Sequence, residues 1–284
     1  MRIGVNTWVW TSPLTDSGAP ELLHHIAAMG FDAVELPLEQ AGDLTPAALN
    51  PILHETGLAP YVVGAMGPGR DLIATDAEAV SGTQDYLRAC IDLAAGIGAE
   101  SVCGPFYAAT GRIWRIDAAD RPGLYRQWRR HLAPVVEYAE SRGVRLGIEP
   151  LNRYETSLIN TVDQALEALG PLLGPGLGLA LDTYHLNIEE RSSAAAITRA
   201  GEHLVHVQVC GNDRGAPGGD QTDWDAIFTA LDGIGYDGAM NIESFTAANA
   251  TIATAASIWR PLAPSQDDLA ADGLAFLREE FASH

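Results

Sequence analysis

Basic residues are scarce in this 284-residue chain: 17 Lys+Arg stand against 37 Asp+Glu, for a formal net charge of -20. A field of that sign repels phosphate backbones and anionic lipid, so neither nucleic acid nor a membrane surface is an expected partner. A neutral ligand or a cation suits it better, and the same acidity also serves plain solubility. No run of about 18 apolar residues occurs, so no transmembrane helix is expected. The opening MRIGVNTWVW has neither the long apolar stretch nor the small-residue cleavage site of a secretory signal, which points to the cytoplasm. Cysteine is nearly absent. Cys90, Cys103 and Cys210 are far apart and form no C-x-x-C, which leaves no disulfide framework and no thiolate zinc site. Cys103 and Cys210 fall in apolar runs, as buried inert thiols do. No Pro/Gly/Ser-rich linker divides the chain, and the Gly/Pro-rich stretch 211–219 reads as a loop, so 1–284 is expected to be a single domain.

What is present is alternation. Short apolar runs suited to strands occur at 2–7, 32–36, 59–64, 101–104, 144–149, 177–181, 203–209 and 238–243. Amphipathic stretches such as 15–29, 76–96, 122–142, 161–172 and 223–232 lie between them. In 122–142 the apolar positions Leu124, Trp128, Leu132, Val135 and Val136 recur at spacings of three and four, which marks one helical face. A glycine followed closely by an apolar strand recurs at GFDAVEL, GAESVCG, GVRLGIE and GYDGAMNIE, as expected where glycine ends a helix. Eight such alternations with nearly continuous apolar strands imply a parallel sheet covered by helices. At this length the fold class is α/β, closed as a (β/α)₈ TIM barrel.

In such a barrel the chemistry lies at the C-terminal ends of the strands. GVRLGIE ends in Glu149, GLGLAL is followed by Asp182, HLVHVQV carries Gln208, and GAMNIE ends in Glu243. One acidic residue at a strand end is as often a helix N-cap or a loop solubiliser. Four oxygen donors on consecutive strands converge, and three packed carboxylates repel each other unless a cation joins them. Hard oxygen ligands select one divalent metal ion, with Mg²⁺, Mn²⁺ and Co²⁺ as the choices, over zinc in a thiolate or imidazole cage.

Glu155, His185 and Arg214 follow on loops of the same face, where each could equally be a surface residue or a loop ion pair. His206 precedes Gln208 by two and points to the same side of its strand; from one layer lower it could reach the site, although a packed histidine is the expected reading. Asn6, Trp8 and Trp10 follow the first strand, Phe106, Tyr107 and Trp114 the fourth, and Trp259 lies near the end. Sugar rings stack on such flat surfaces, although loop packing or a subunit contact uses them as well.

The stretches GFDAVELPL (30–38), IEPLNRYETSLINT (148–161), LDTYHLNIEE (181–190), DRGAPGG (213–219), DWDAIFTALDGIGYDGAMNIESF (223–245) and IWRPLA (258–263) resemble the xylose-isomerase-like superfamily of sugar isomerases and epimerases. Within it the sequence is most similar to the ketose 3-epimerases of the D-tagatose and D-psicose type. The resemblance covers nearly the whole chain. It implies that Glu149, Asp182 and Glu243 bind the metal, Mn²⁺ first among the candidates, and that Glu149 and Glu243 form the acid/base pair. It implies that Glu155, His185 and Arg214 hold substrate, and Asn6, Trp8 and Trp114 are expected to join them. It also implies a homo-oligomer, dimer or tetramer. The fourth ligand departs: six residues before Arg214 stands Gln208, where the ketose epimerases have histidine. A glutamine there resembles the hydroxypyruvate isomerases of the same superfamily, and its amide oxygen can still coordinate a hard cation.

The expected activity is proton transfer next to the carbonyl of a small sugar or keto-sugar, through a cis-enediolate. Return of the proton to the far face gives a ketose 3-epimerase; delivery to the neighbouring carbon gives aldose–ketose isomerisation. The same intermediate can expel a β-leaving group, so a lyase, dehydratase or deglycosidase acting on a 3-keto sugar is the alternative that Gln208 raises. A barrel nuclease needs several more histidines and opposes the net charge. A sugar-binding barrel without catalysis does not explain the two glutamates.

Overall fold

The computed structural model describes residues 1–283; His284, the last residue of the expected domain, lies outside the described residues. Eight strands, β1 (Arg2–Asn6), β2 (Ala33–Leu38), β3 (Ala59–Gly64), β4 (Ser101–Gly104), β5 (Arg145–Ile148), β6 (Leu177–Asp182), β7 (Leu204–Val209) and β8 (Ala239–Ile242), pair in parallel in chain order. β1 also pairs with β8, with Ile3 opposite Met240, and the barrel closes. All eight expected strands are present, their ends moved by at most two residues.

The apparently continuous apolar runs conceal an alternation of period two. Ile3 and Val5, Val34 and Leu36, Leu146 and Ile148, and Val207 and Val209 join the main apolar cluster between sheet and helices. The positions between them, Gly4, Asn6, Glu35, His206, Gln208 and Asn241, face the barrel interior. Space there is tight: a Cβ on Gly4 would lie 1.9 Å from Asn241 Oδ1, so the glycine makes room for the amide.

The outer layer is α1 (Ala19–Met29), α2 (Pro46–Thr56), α3 (Ala77–Ile97), α4 (Arg121–Ser141), α5 (Val162–Leu169), α6 (Thr183–Glu189), α7 (Ser193–Ala200), α8 (Trp224–Gly233), α9 (Ala250–Ala255) and α10 (Gln266–Ser283). Trp128, Leu132, Val135 and Val136 of α4 are buried, as their spacing predicts. The four glycines of the recurrent pattern all take positive φ: Gly30 at 99°, Gly98 at 76°, Gly143 at 71° and Gly235 at 69°. Two helices are shorter than expected. α1 starts at Ala19 with Pro20 in its first turn, while Asp16 instead binds Thr45 through its backbone N–H at 2.8 Å and its hydroxyl at 2.7 Å. The 161–172 stretch is α5 and then one 3₁₀ turn, Gly170–Leu172, because Pro171 has no N–H to continue the α-helix. Residues 211–219 form the loop between β7 and α8. No helix among the described residues is long and apolar enough to cross a membrane.

Candidate active site

The C-terminal mouth of the barrel opens into a cavity of ≈ 160 Å³. Trp8, Val63, Met66, Phe245 and Ile252 make an apolar wall, and Glu149, Glu155, His185, Arg214 and Glu243 make a polar one. Asp182 and Gln208 lie beside these groups and are almost fully buried.

Strand ends place Glu149, Asp182 and Glu243, while Glu155 and Arg214 come from loops and His185 from α6. The Glu149 backbone N–H follows β5 and donates to Gly104 O at 3.1 Å, while its carbonyl accepts from the Tyr107 hydroxyl at 3.0 Å. The Glu243 N–H follows β8 and donates to Val209 O at 3.0 Å. Asp182 closes β6 and does two things at once. Its Oδ1 accepts from Tyr184 N–H at 2.9 Å, the N-cap of α6, and its Oδ2 accepts from Arg214 Nη1. The alternatives set out for a strand-end acid, helix cap or site, are here one residue.

Arg214 is buried, with φ at +70°, a conformation uncommon for a side chain this large. Its Nη1 reaches Asp182 and lies 3.0 Å from Glu243 Oε2. The guanidinium sits 4.0 Å from the Tyr184 ring centroid, and the Arg214 carbonyl accepts from Ser244 Oγ at 2.6 Å. Burial opposes its charge, yet Asp182 and further neighbours hold it protonated well beyond the ordinary arginine value.

His185 Nε2 lies 3.4 Å from Glu149 Oε1 and 3.7 Å from Asp182 Oδ2. Glu149, Asp182 and His185 thus bring ligand-type atoms within 4.8 Å of one another. The backbone N–H of Asn152 points at His185 Nδ1 over 3.1 Å, and Arg214 Nη2 lies 3.3 Å from Nε2, so a donor faces each ring nitrogen. Asn152 also donates to Glu155 Oε1 at 2.7 Å and ties Glu155 to the same cluster.

Both Gln208 N–H groups meet carboxylates, Glu243 Oε1 at 2.8 Å and Glu35 Oε2 at 2.9 Å. Gln208 Oε1 and Glu149 Oε1 are buried with no hydrogen-bond partner. Buried polar atoms are rarely left this way. Two bare oxygens beside Asp182 and Glu243 form a donor set suited to a hard divalent cation. The electrostatics agree. Burial raises the Glu149 carboxyl above its ordinary range, with His185 opposing. Burial also pushes Glu243 well up; Arg214 opposes this, and the charges of Asp182, Glu149 and Glu35 reinforce it. Neighbouring carboxylates in a low dielectric carry this cost unless a positive charge joins them.

Several expected residues serve elsewhere. Asn6 does not line the cavity: it donates to Glu35 and its Oδ1 caps Trp8 N–H at 2.8 Å. Trp114 is also outside the cavity, with the Arg112 guanidinium 4.6 Å from its ring centroid. Phe106 and Tyr107 are core residues, and the Trp128 indole N–H donates to Phe106 O at 2.7 Å. Trp10 binds Asp267 at 2.7 Å, and Trp259 is 74% exposed. Of the aromatic loop residues, Trp8 does form the cavity wall, tilted against Phe245 with centroids 5.6 Å apart. His206 is packed as expected, against Glu35 and 5.3 Å from the Tyr61 ring. The residue that sequence reasoning missed is Glu35. Its one signal was an acid inside an apolar strand, VEL, where a charge is unusual. Asn152, inside the PLNRYE segment, was missed as well.

Comparison with known proteins agrees with this architecture. The family model described as xylose isomerase-like TIM barrel matches residues 23–280. A ketose 3-epimerase from Arthrobacter globiformis is 32% identical over 285 residues, spanning 100% of this chain and 98% of that protein. An L-ribulose 3-epimerase from Methylomonas sp. is 28% identical, with 99% and 98% covered. The crystal structure of D-allulose 3-epimerase from Methylomonas sp. in complex with D-allulose superposes with a TM-score of 0.88 at 28% identity, covering 98% of this chain and 96% of the other.

Proposed function

The chain belongs to the xylose isomerase-like TIM-barrel family, and on that premise we propose that it is a divalent-metal-dependent ketose 3-epimerase. The observation that carries this reading is the pair of unpartnered buried oxygens, Glu149 Oε1 and Gln208 Oε1, among three buried carboxylates at the mouth of the barrel. Relatives named as ketose and L-ribulose 3-epimerases match along the full chain, which supports the reaction class. The sequence contains no lysine, so Schiff-base activation of a carbonyl is not open to it.

In this reading Glu149, Asp182, Gln208 and Glu243 hold the ion, Mn²⁺ first, with Mg²⁺ or Co²⁺ as alternatives. When bound, the ion supplies the charge that polarises a substrate carbonyl and favours loss of the neighbouring proton. Glu149 and Glu243 stand just past the ends of β5 and β8, separated in the ring by two strands, and both line the cavity. One takes the proton from C3 and the other returns a proton to the opposite face, which inverts that carbon. His185, which lines the cavity, holds a substrate oxygen, and Arg214 places a fixed positive charge beside it. Glu155, held by Asn152, orients a hydroxyl. The wall of Trp8, Val63, Met66 and Phe245 excludes water and accepts the less polar end of the sugar. Among the described residues Arg214 is the one arginine lining the cavity and it is already paired, so a free ketose suits the site better than a phosphorylated one.

The same proposal takes 1–284 as one catalytic domain in the cytoplasm, where three free buried thiols are at home. It also takes the enzyme as a dimer or tetramer; Trp259 and Tyr154, 74% and 73% exposed, are large surface aromatics of the kind interfaces use.

Incubation with Mn²⁺ and a panel of ketopentoses and ketohexoses in deuterium oxide tests the activity. Deuterium entering at C3 together with the C3 epimer is the expected result. Aldose formation, or release of a leaving group from a 3-keto glycoside without C3 epimerisation, would replace this reading with the isomerase or the lyase.

A further inference from the structure

We propose that Glu35 is a positioning residue for the metal site: it fixes the Gln208 amide so that the oxygen, and not the nitrogen, is presented to the cation. The inference rests on the metal reading above. Glu35 lies on β2, is fully buried and does not line the cavity, so it cannot touch substrate. Its Oε2 accepts from Gln208 Nε2 at 2.9 Å and from Asn6 Nδ2, and its Oε1 pairs with His206 Nε2.

An amide side chain is nearly symmetric in shape, so only its partners decide which end faces which way. At Gln208 the choice is forced. Its two N–H groups lie against Glu35 and Glu243, and a rotated amide would press its oxygen against two carboxylate oxygens. Oε1 is left as the atom without a partner. Glu243 alone does not hold this arrangement, because Glu243 is itself a proposed ligand and proton carrier. Glu35 is held from behind in the same manner. Trp8 N–H occupies Asn6 Oδ1 at 2.8 Å, so Asn6 can offer Glu35 only its NH₂ group. A chain of contacts therefore runs from the cavity wall at Trp8 through Asn6 and Glu35 to Gln208.

The test is the Mn²⁺ dissociation constant of the chelator-stripped protein, read from the electron paramagnetic resonance of the free ion, with melting followed in chelator. Removing an outer partner of a metal ligand typically costs 10–100-fold in affinity, so Glu35→Leu is expected to weaken binding by about tenfold or more. Glu35→Asp keeps the charge for His206 but withdraws the oxygen from Gln208, and it reads the same loss should the leucine variant not fold. Glu35→Gln, which still offers an acceptor oxygen, is expected to bind within about threefold of the parent. In a Gln208→Ala background, neither Glu35→Leu nor Glu35→Asp should cost anything further, because no amide remains to be held. Parent-like binding by the leucine or aspartate variant, or an equal loss in the Gln208→Ala background, overturns the inference and leaves the metal site standing. A parent protein that binds no Mn²⁺ overturns both.

Discussion

Arg214 donates to Glu243 across 3.0 Å with a guanidinium nitrogen that also reaches Asp182, so two buried carboxylates share one fixed positive charge. Glu149 lies outside that arrangement, with His185 3.4 Å away and one oxygen unpartnered. The barrel mouth therefore holds more negative charge than its own cation neutralises. That imbalance is what a divalent ion would relieve.

Removing the guanidinium should expose it. Breaking a buried ion pair from one side costs about 3–5 kcal/mol, so Arg214→Met is expected to lower unfolding free energy by that order in chelator. Mn²⁺ should recover a large part of the loss, because it binds the carboxylates that the arginine leaves behind. Urea unfolding with and without the ion measures this. A loss below about 1 kcal/mol in chelator would mean the pair is screened as a surface pair is.

Glu149→Gln and Glu243→Gln should each reduce turnover by about 10²–10⁴-fold, the usual contribution of a positioned proton carrier. Neither should unfold the protein, since each replaces a buried charge whose ionisation burial disfavours. Steady-state rates and melting curves on the same samples separate the two effects. Parent-like turnover in either variant removes that residue from the mechanism.

Much of this was legible in the sequence because the barrel repeats one unit. Strand ends were readable at Glu149, Asp182 and Glu243 because an acid follows an unbroken apolar run. Glu35 was not. It stands between Val34 and Leu36 inside such a run, and its partners His206 and Gln208 lie 171 and 173 residues away. Only closure of the barrel brings β2 across from β7, and no local pattern records that. The aromatic residues are ambiguous in the sequence for a different reason. A tryptophan on a loop reads the same whether it walls a cavity, as Trp8 does, or packs under a guanidinium, as Trp114 does. The polar atoms of Asn6 are consumed by Glu35 and Trp8, contacts that its place after the first strand does not reveal.

The metal-free protein should lose stability as pH rises. Burial raises the Glu243 carboxyl well above its ordinary 4.5, so between the unfolded and folded values the native state holds more protons than the unfolded chain. That contribution is complete below pH 4.5 and is lost as pH climbs through the raised folded value. Glu149 acts in the same direction. Melting in chelator should therefore decline across that window, and Glu243→Gln should flatten the decline. A melting temperature that rises over the same window in the parent would contradict the sign.

The thiols should be silent in the native state. Cys90, Cys103 and Cys210 are free and buried, and burial pushes the Cys90 thiol up to about 12. A colorimetric disulfide reagent at pH 8 is expected to titrate none of the three until denaturant is added, and then all of them. A rapid native reaction would place at least one thiol at the surface.

Anomalous diffraction from a crystal grown with Mn²⁺ locates the ion and its ligands. One strong peak is expected, with an oxygen from each of Glu149, Asp182, Gln208 and Glu243 about 2.0–2.4 Å from it. No peak at the barrel mouth, or an ion held by His185 Nε2 with Gln208 turned away, would contradict the account.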